Sequence, residues 1–344
     1  MISVVAALFI AVVGANLVID PQAVFGTGLF GHAKNANDRY ERLLAYRAKA
    51  GAIDGVLFGS SRSQVIPLDE VSRRMDGARF ASFAVVGGML SDHLPTLEFI
   101  VRDKARRGER LKAVLLQLDI DALGNRPFTE QGLQYMLPPE ISGEGRIRFW
   151  WKLLTSIQFK AWKSTIRGVS THTQAATGTG LFPLAARSAA MLAGLAAPAP
   201  AHAQASPAGR PATPAQKPRE RITQRADFPR QLALLQQLVA LCRQNDIRLI
   251  AIAAPIGRAS SDRLDNADLV DVVERVSTIV PLWDFTLARQ ANDHPEFWSD
   301  GFHFAPNIAA MMVDRIFGGS LPPEWADFGT FRSPVRQSEH LSRN

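Results

Sequence analysis

The sequence predicts an α/β domain built on a parallel sheet of about five strands, preceded by an apolar helix and interrupted by a long insertion after strand three. Five short apolar runs, at 56–58, 81–86, 113–120, 247–254 and 280–285, alternate with helical patterns. The third run, AVLLQLDI, is almost continuously hydrophobic, as a strand buried on both faces must be. The alternation stops after that run and resumes at about residue 228.

Composition fits one large domain or two small ones. The chain has 344 residues, of which 47% are hydrophobic and 21% charged, enough for a real core and unlike a disordered chain. The net charge of +7 points to nucleic acid, an anionic membrane surface or an acidic polymer. No nucleic-acid-binding signature accompanies the charge, so no nucleic-acid partner is expected. The single cysteine, Cys242, lies in the apolar helical pattern LVALCRQN and reads as a small buried hydrophobe. It excludes an internal disulfide, and no Cys/His spacing suits a metal.

The elements follow in order. From Met1 to Ile19 there is no charged side chain, and Asp20-Pro21 ends the run. A bilayer span needs roughly 20 apolar residues. A cleaved signal peptide would carry a basic leader and a small-residue cleavage site, and neither is present. A buried core helix is the third reading. The expectation is a transmembrane anchor over residues 1–20, held by membrane lipid through 1–19. Lys34, Arg39, Arg42, Arg47 and Lys49 follow, and charge counting alone would keep that side cytoplasmic. Residues 35–49 form an amphipathic helix capped by Asn or Asp. Strand one closes on Gly59-Ser60-Ser61, a helical stretch covers 68–75, strand two closes on Gly87-Gly88, and a helix with a cationic end spans 92–107.

Residues 122–225 form the insertion. Within it, 146–167 place Trp150, Trp151 and Trp162 beside Arg148, Lys152, Lys160 and Lys163. Three readings stand: a helix lying in a membrane interface, aromatics stacking on sugars, or a helix packed over the site with snorkelling cations. Residues 188–218 are Ala/Pro-rich and low in complexity, which reads as a linker. Helices are then expected over 228–245, 268–279 and 305–317, and a loose Pro- and charge-rich tail over 319–344. The α/β domain is thus assigned to 35–121 with 226–318.

In open parallel sheets, ligands bind outside the carboxyl ends of the strands. Three features fall there: Gly59–Ser63, Gly87-Gly88, and the segment from Trp298 to Phe304. Ser61 is the first residue clear of a tight strand-to-helix turn, where its hydroxyl is presented and its N–H faces developing negative charge. A plain turn with a helix-capping serine explains the same residues. Asp300 and His303, three apart across a glycine, suit a carboxylate that orients an imidazole and leaves Nε2 free for a serine. An Asp-Gly turn before a helix explains them equally. Conjunction favours the chemistry, because the topology brings both features to one edge.

With these residues in view, the chain resembles the SGNH/GDSL hydrolase family. Gly59-Ser60-Ser61 is similar to its first block, Gly87 or Gly88 to its second-block glycine, and Asp300-Gly301-Phe302-His303 to its closing D-x-x-H pair. The resemblance covers roughly 50–120 and 228–317. It implies a three-layer flavodoxin-like sheet, Ser61 as nucleophile, His303 as base and Asp300 as its orienting carboxylate. It implies an oxyanion hole from the N–H groups of Ser61 and Gly87 or Gly88. Bacterial membrane-anchored members look most similar, and their relatives acetylate envelope polysaccharides. The resemblance therefore implies an inner-membrane protein with a periplasmic domain, a serine esterase or O-acyltransferase acting on an envelope or exported polysaccharide. It implies no cofactor, and a membrane acyl-donor protein as a further partner.

The third block departs from the family. A Gly-x-Asn-Asp motif is expected there, but strand three ends in Leu118-Asp119-Ile120-Asp121, and the nearest Asn is Asn125. A carboxylate cannot donate to an oxyanion unless protonated. This departure motivates a second expectation, a catalytically weak module that binds polysaccharide or scaffolds an envelope complex. Asp119 and Asp121 suit either a cation or simple cap-forming carboxylates. Arg62 suits either a substrate anion or a structural carboxylate. Arg62, Asp119 and Trp298 are the candidate substrate contacts, and no metal site is expected.

Overall fold

A computed structural model describes residues 2–27, 36–172, 219–286 and 289–333. They belong to two compact units, one of residues 1–50 with 127–195, the other of 51–126 with 196–344. The Ala/Pro-rich linker expected at 188–218 lies outside the described residues. Helices and strands are numbered along the chain.

The first unit is helical: α1 (Ile2–Ile19), α2 (Asp38–Lys49), α5 (Pro139–Ser142), α6 (Arg146–Thr155) and α7 (Phe159–His172). Phe149 and Leu153 of α6 are buried with Val24, and Tyr40, Met136 and Trp150 pack around them. Asn37 caps α2 by accepting the Tyr40 N–H at 3.0 Å. Its Nδ2 donates to the Met136 carbonyl at 2.8 Å. That tie holds α2 with the 127–195 segment. The expectation that α2 opens the α/β domain is therefore corrected, since an amphipathic pattern shows that a face is buried but not against what. The expected insertion is divided between the units: α5, α6 and α7 share theirs with residues 1–50, while 122–126 stay in the other.

The apolar helix forms as expected, but among the described residues no helix is long and apolar enough to cross a membrane. The transmembrane anchor over 1–20 is thus not found.

The second unit carries β1 (Gly55–Gly59), α3 (Leu68–Arg74), β2 (Phe80–Ala84), α4 (Leu90–Arg106) and β3 (Ala113–Leu118). It continues with α8 (Phe228–Gln244), β4 (Arg248–Ala253), α9 (Arg258–Ser261), α10 (Asn266–Ile279), β5 (Leu282–Asp284), α11 (Pro306–Ile316) and β6 (Thr330–Arg332). The sheet order is β2-β1-β3-β4-β5-β6. The first five strands are parallel, in the flavodoxin-like order, and β6 runs antiparallel beside β5.

Every position of β1 and β3 is buried, which is why both read as unbroken apolar runs. Leu57 and Leu115 join one face, with Ile252, Phe304, Ile308 and Met312. Phe58 points the other way, against Phe83 and His93. The chain winds from β1 to β2 on one side, then crosses to β3 on the other. Connections after β1 and β3 therefore diverge, leaving a crevice at their carboxyl ends.

The tail expected to be loose from 319 is ordered through Arg332. Trp325 and Phe328 are buried, the latter 5.0 Å from the Phe285 ring. Arg332 Nε donates to Asp284 Oδ2 at 2.6 Å across the β5–β6 pair. The two aromatics draw a Pro-rich segment onto the core, and the unpaired edge of β5 accepts a strand. Neither partner is visible from local composition. Residues 334–344 lie outside the described residues.

Candidate active site

The turn after β1 is dictated by crowding. A Cβ on Gly59 would sit 1.8 Å from Ser63 Oγ, so only glycine fits. Ser60 is extended, and its Oγ accepts the Arg62 N–H at 3.1 Å, capping a short 3-10 helix over Ser61–Val65. Ser60 is thus the cap and Ser61 the first helical residue. The Ser63 N–H is spent on the Ser60 carbonyl. The Ser61 N–H has no partner among the described residues.

The turn after β2 lies alongside. The Val85 N–H donates to the Gly59 carbonyl at 3.1 Å, continuing the β1–β2 ladder. Gly88 N–H closes the turn on the Val85 carbonyl at 2.9 Å. Gly87 occupies the third turn position at φ +60°, where glycine is favoured. A Cβ on Gly88 would meet the Gly59 carbonyl oxygen at 2.4 Å. The two glycines therefore separate: Gly88 permits the close approach and its amide is consumed, while the Gly87 amide has no partner among the described residues.

The third element is a narrow loop before α11. Trp298 and Phe304 pair across its base, and the Ser299 N–H donates to the His303 carbonyl at 2.8 Å. Asp300 Oδ1 accepts the N–H groups of Phe302 and His303, each at 2.7 Å, and Oδ2 meets His303 Nδ1 at 2.8 Å. Ser61 Oγ lies 2.8 Å from His303 Nε2, although the residues are 242 positions apart. An ionised carboxylate only accepts, so Nδ1 carries the proton and neutral Nε2 is left to accept the Ser61 hydroxyl.

Burial pushes the Asp300 carboxyl up, but the His303 and Phe302 amides and the imidazole outweigh it and hold it below the usual carboxylate range. A depressed folded pKa adds stability that is present above the unfolded value, about 3.9, and lost as pH falls through the folded one. Thermal melts of wild type and Asp300→Asn are expected to differ by a constant amount above about pH 5 and to converge below about pH 4. A difference that stays the same at every pH down the acid limb would mean that the ionised carboxylate is not what these donors stabilise.

The three expected substrate contacts each have a partner within the protein. Arg62 is buried and pairs with Asp121 in a fork, Nη1–Oδ1 at 2.6 Å and Nη2–Oδ2 at 2.8 Å, with Asp119 at 3.5 Å. Burial pushes the guanidinium down, but the carboxylates of Asp119 and Asp121 hold it above its ordinary value. Asp121 is held low: burial raises it, and Arg62, Ser260 and Arg225 more than offset that. Asp119 also accepts from Gln117 Nε2 at 3.2 Å. Trp298 packs against the core, with its indole N–H on the Ala291 carbonyl at 2.8 Å. Arg62 and Trp298 are thus engaged inside the fold, while Asp119 lines a small cavity with Gly88 and His93. The pairing with Arg62 also removes the cation reading of Asp119 and Asp121, and among the described residues no His/Cys/Asp/Glu cluster could hold a metal.

Two rim residues escaped the sequence reading. Phe302 is 40% exposed beside His303, with the Arg263 guanidinium 5.7 Å from its ring. Val86 is exposed next to Gly87. An apolar residue inside a polar loop is the signal that could have found Phe302. The arrangement comprises a hydroxyl on a base, the base on a carboxylate, and two unspent amides on adjoining turns. Chemically, it can activate a nucleophile and receive a developing oxyanion. No family model matches the chain, and no curated protein sequence matches it.

Proposed function

We propose that the second unit is a serine acyl-transfer domain of the SGNH/GDSL kind, acting on acetyl esters of an envelope or exported polysaccharide. One observation carries the reading: the Ser61–His303–Asp300 relay, with 2.8 Å at each link. Ser61 Oγ attacks the acyl carbonyl, and its proton passes to His303 Nε2. Asp300 steadies the imidazolium. The Ser61 and Gly87 amides receive the oxyanion. His303 returns the proton to the leaving oxygen as the tetrahedral species collapses to acyl-Ser61. A saccharide hydroxyl or water then attacks, giving its proton to His303, and Ser61 is regenerated.

Two amides stand where the resembled family has three donors. One oxyanion donor is worth about 10²–10³ in rate, so the domain is a slow hydrolase whose useful reaction is transfer to a positioned acceptor. A fluorophosphonate probe tests the reading. The folded chain is expected to gain one covalent adduct on Ser61, absent in His303→Ala. A folded protein with no adduct on Ser61 supports the alternative, a silent module that binds polysaccharide or scaffolds an envelope complex.

A further inference from the structure

The first unit carries charge out of proportion to its size. Its sequence holds 12 Lys and Arg against 6 Asp and Glu, so +6 of the chain's +7 resides there. The same unit exposes its most apolar helix. Residues 3–11 of α1 are all exposed, with Leu8 at 63% and Ile10 at 68%. Phe9 meets Trp151 of α6 at 5.8 Å between ring centroids, which carries the apolar surface onto α6. Ile147 on α6 and Phe159 at the start of α7 are exposed as well. A patch of this extent is not left bare in water.

The polar side chain that would spoil α1 in lipid is accounted for. Asn16 is buried; its Nδ2 donates to the carbonyls of Leu154 at 2.7 Å and Ser156 at 2.9 Å. Its Oδ1 accepts the indole N–H of Trp162 at 2.9 Å. Asn16 thereby clasps the corner between α6 and α7 to α1, and the three helices form one surface. Cations border it. Lys160 and Lys163 are exposed and make no ion pair among the described residues. Both α6 and α7 are amphipathic, with basic residues on the polar side, as helices lying in a headgroup layer are.

We propose that the α1–α6–α7 surface seats the first unit on an anionic membrane leaflet. α1 enters the acyl region, and α6 and α7 lie at headgroup depth. Trp151 and Phe159 are the aromatic anchors, while Lys160 and Lys163 meet lipid phosphates. This seating is independent of the acyl-transfer reading. It differs from a single-helix anchor, because α6 and α7 contribute both the aromatic contact and the selectivity for anionic lipid.

Vesicle co-flotation of the full chain tests it, using phosphatidylcholine with and without phosphatidylglycerol. The wild type is expected to prefer the phosphatidylglycerol vesicles and to lose the preference at high salt. Lys160→Glu/Lys163→Glu is expected to bind those vesicles about tenfold or more weakly, with neutral vesicles little affected. Trp151→Ser/Phe159→Ser is expected to weaken binding to both. Circular dichroism of both variants checks that they fold. If both folded variants float as the wild type does, the proposal fails. It also fails if light scattering without lipid shows a dimer that Trp151→Ser/Phe159→Ser dissolves, since the patch would then seat a second copy.

Discussion

Ser61→Ala is expected to lower ester turnover by about 10³-fold or more, equal to about 4 kcal/mol of transition-state stabilisation. The hydroxyl is the group of the relay that the base is placed to activate, its Oγ 2.8 Å from His303 Nε2. His303→Ala is expected to cost as much, because an unactivated serine hydroxyl is a poor nucleophile at neutral pH. The double variant is expected to be no slower than either single one. Residues that act as one unit are not additive, and a cycle on p-nitrophenyl acetate reads this directly. Melting temperatures should move little, since Ser61 is half-buried and His303 40% exposed. Equal turnover in wild type and Ser61→Ala would end the enzymatic reading, and so would fully additive losses.

The largest effect on stability is expected at the neighbouring residue. Arg62 and Asp121 side chains are only 9% and 5% exposed, and their forked pair links the turn after β1 to the end of β3. The Asp121 carbonyl also accepts Arg225 Nη1 at 2.7 Å, which brings in the segment before α8. Removing one partner leaves the other charge in a dry place without its fork, Arg62 keeping only Asp119 at 3.5 Å, at a cost of about 3–5 kcal/mol. Asp121→Ala and Arg62→Met should each show that loss in urea unfolding. The double variant Arg62→Met/Asp121→Leu should recover part of it, because an apolar pair of similar volume needs no solvation. Arg62→Lys should not rescue, since an ammonium cannot reproduce the fork. Single variants within about 1 kcal/mol of wild type would show the pair to be solvated.

Some site elements were legible because they are local. Asp300 and His303 are three apart, so one short loop sets their geometry whatever the rest of the chain does. The Ser60 cap and the Ser61 turn follow from small residues at the end of a buried strand. Gly87 and Gly88 could not be separated by sequence, because the difference lies in which amide closes a turn and which Cα abuts the Gly59 carbonyl. Arg62 reads identically as ligand contact or brace until Asp121 is seen against it. Phe302 reads as filler until its exposure is known.

The residue pattern by itself determined a five-strand parallel alternation, an apolar first helix, a serine at one strand end and an imidazole–carboxylate pair near another. These are properties of periodicity and of neighbours within a few positions. Only the tertiary structure decided that the serine and the imidazole meet, that α2 packs with Met136 and α6, and that the tail adds a sixth strand. Each of those depends on which distant surfaces bury one another, and packing free energy is shared across the whole chain rather than written in any window of it.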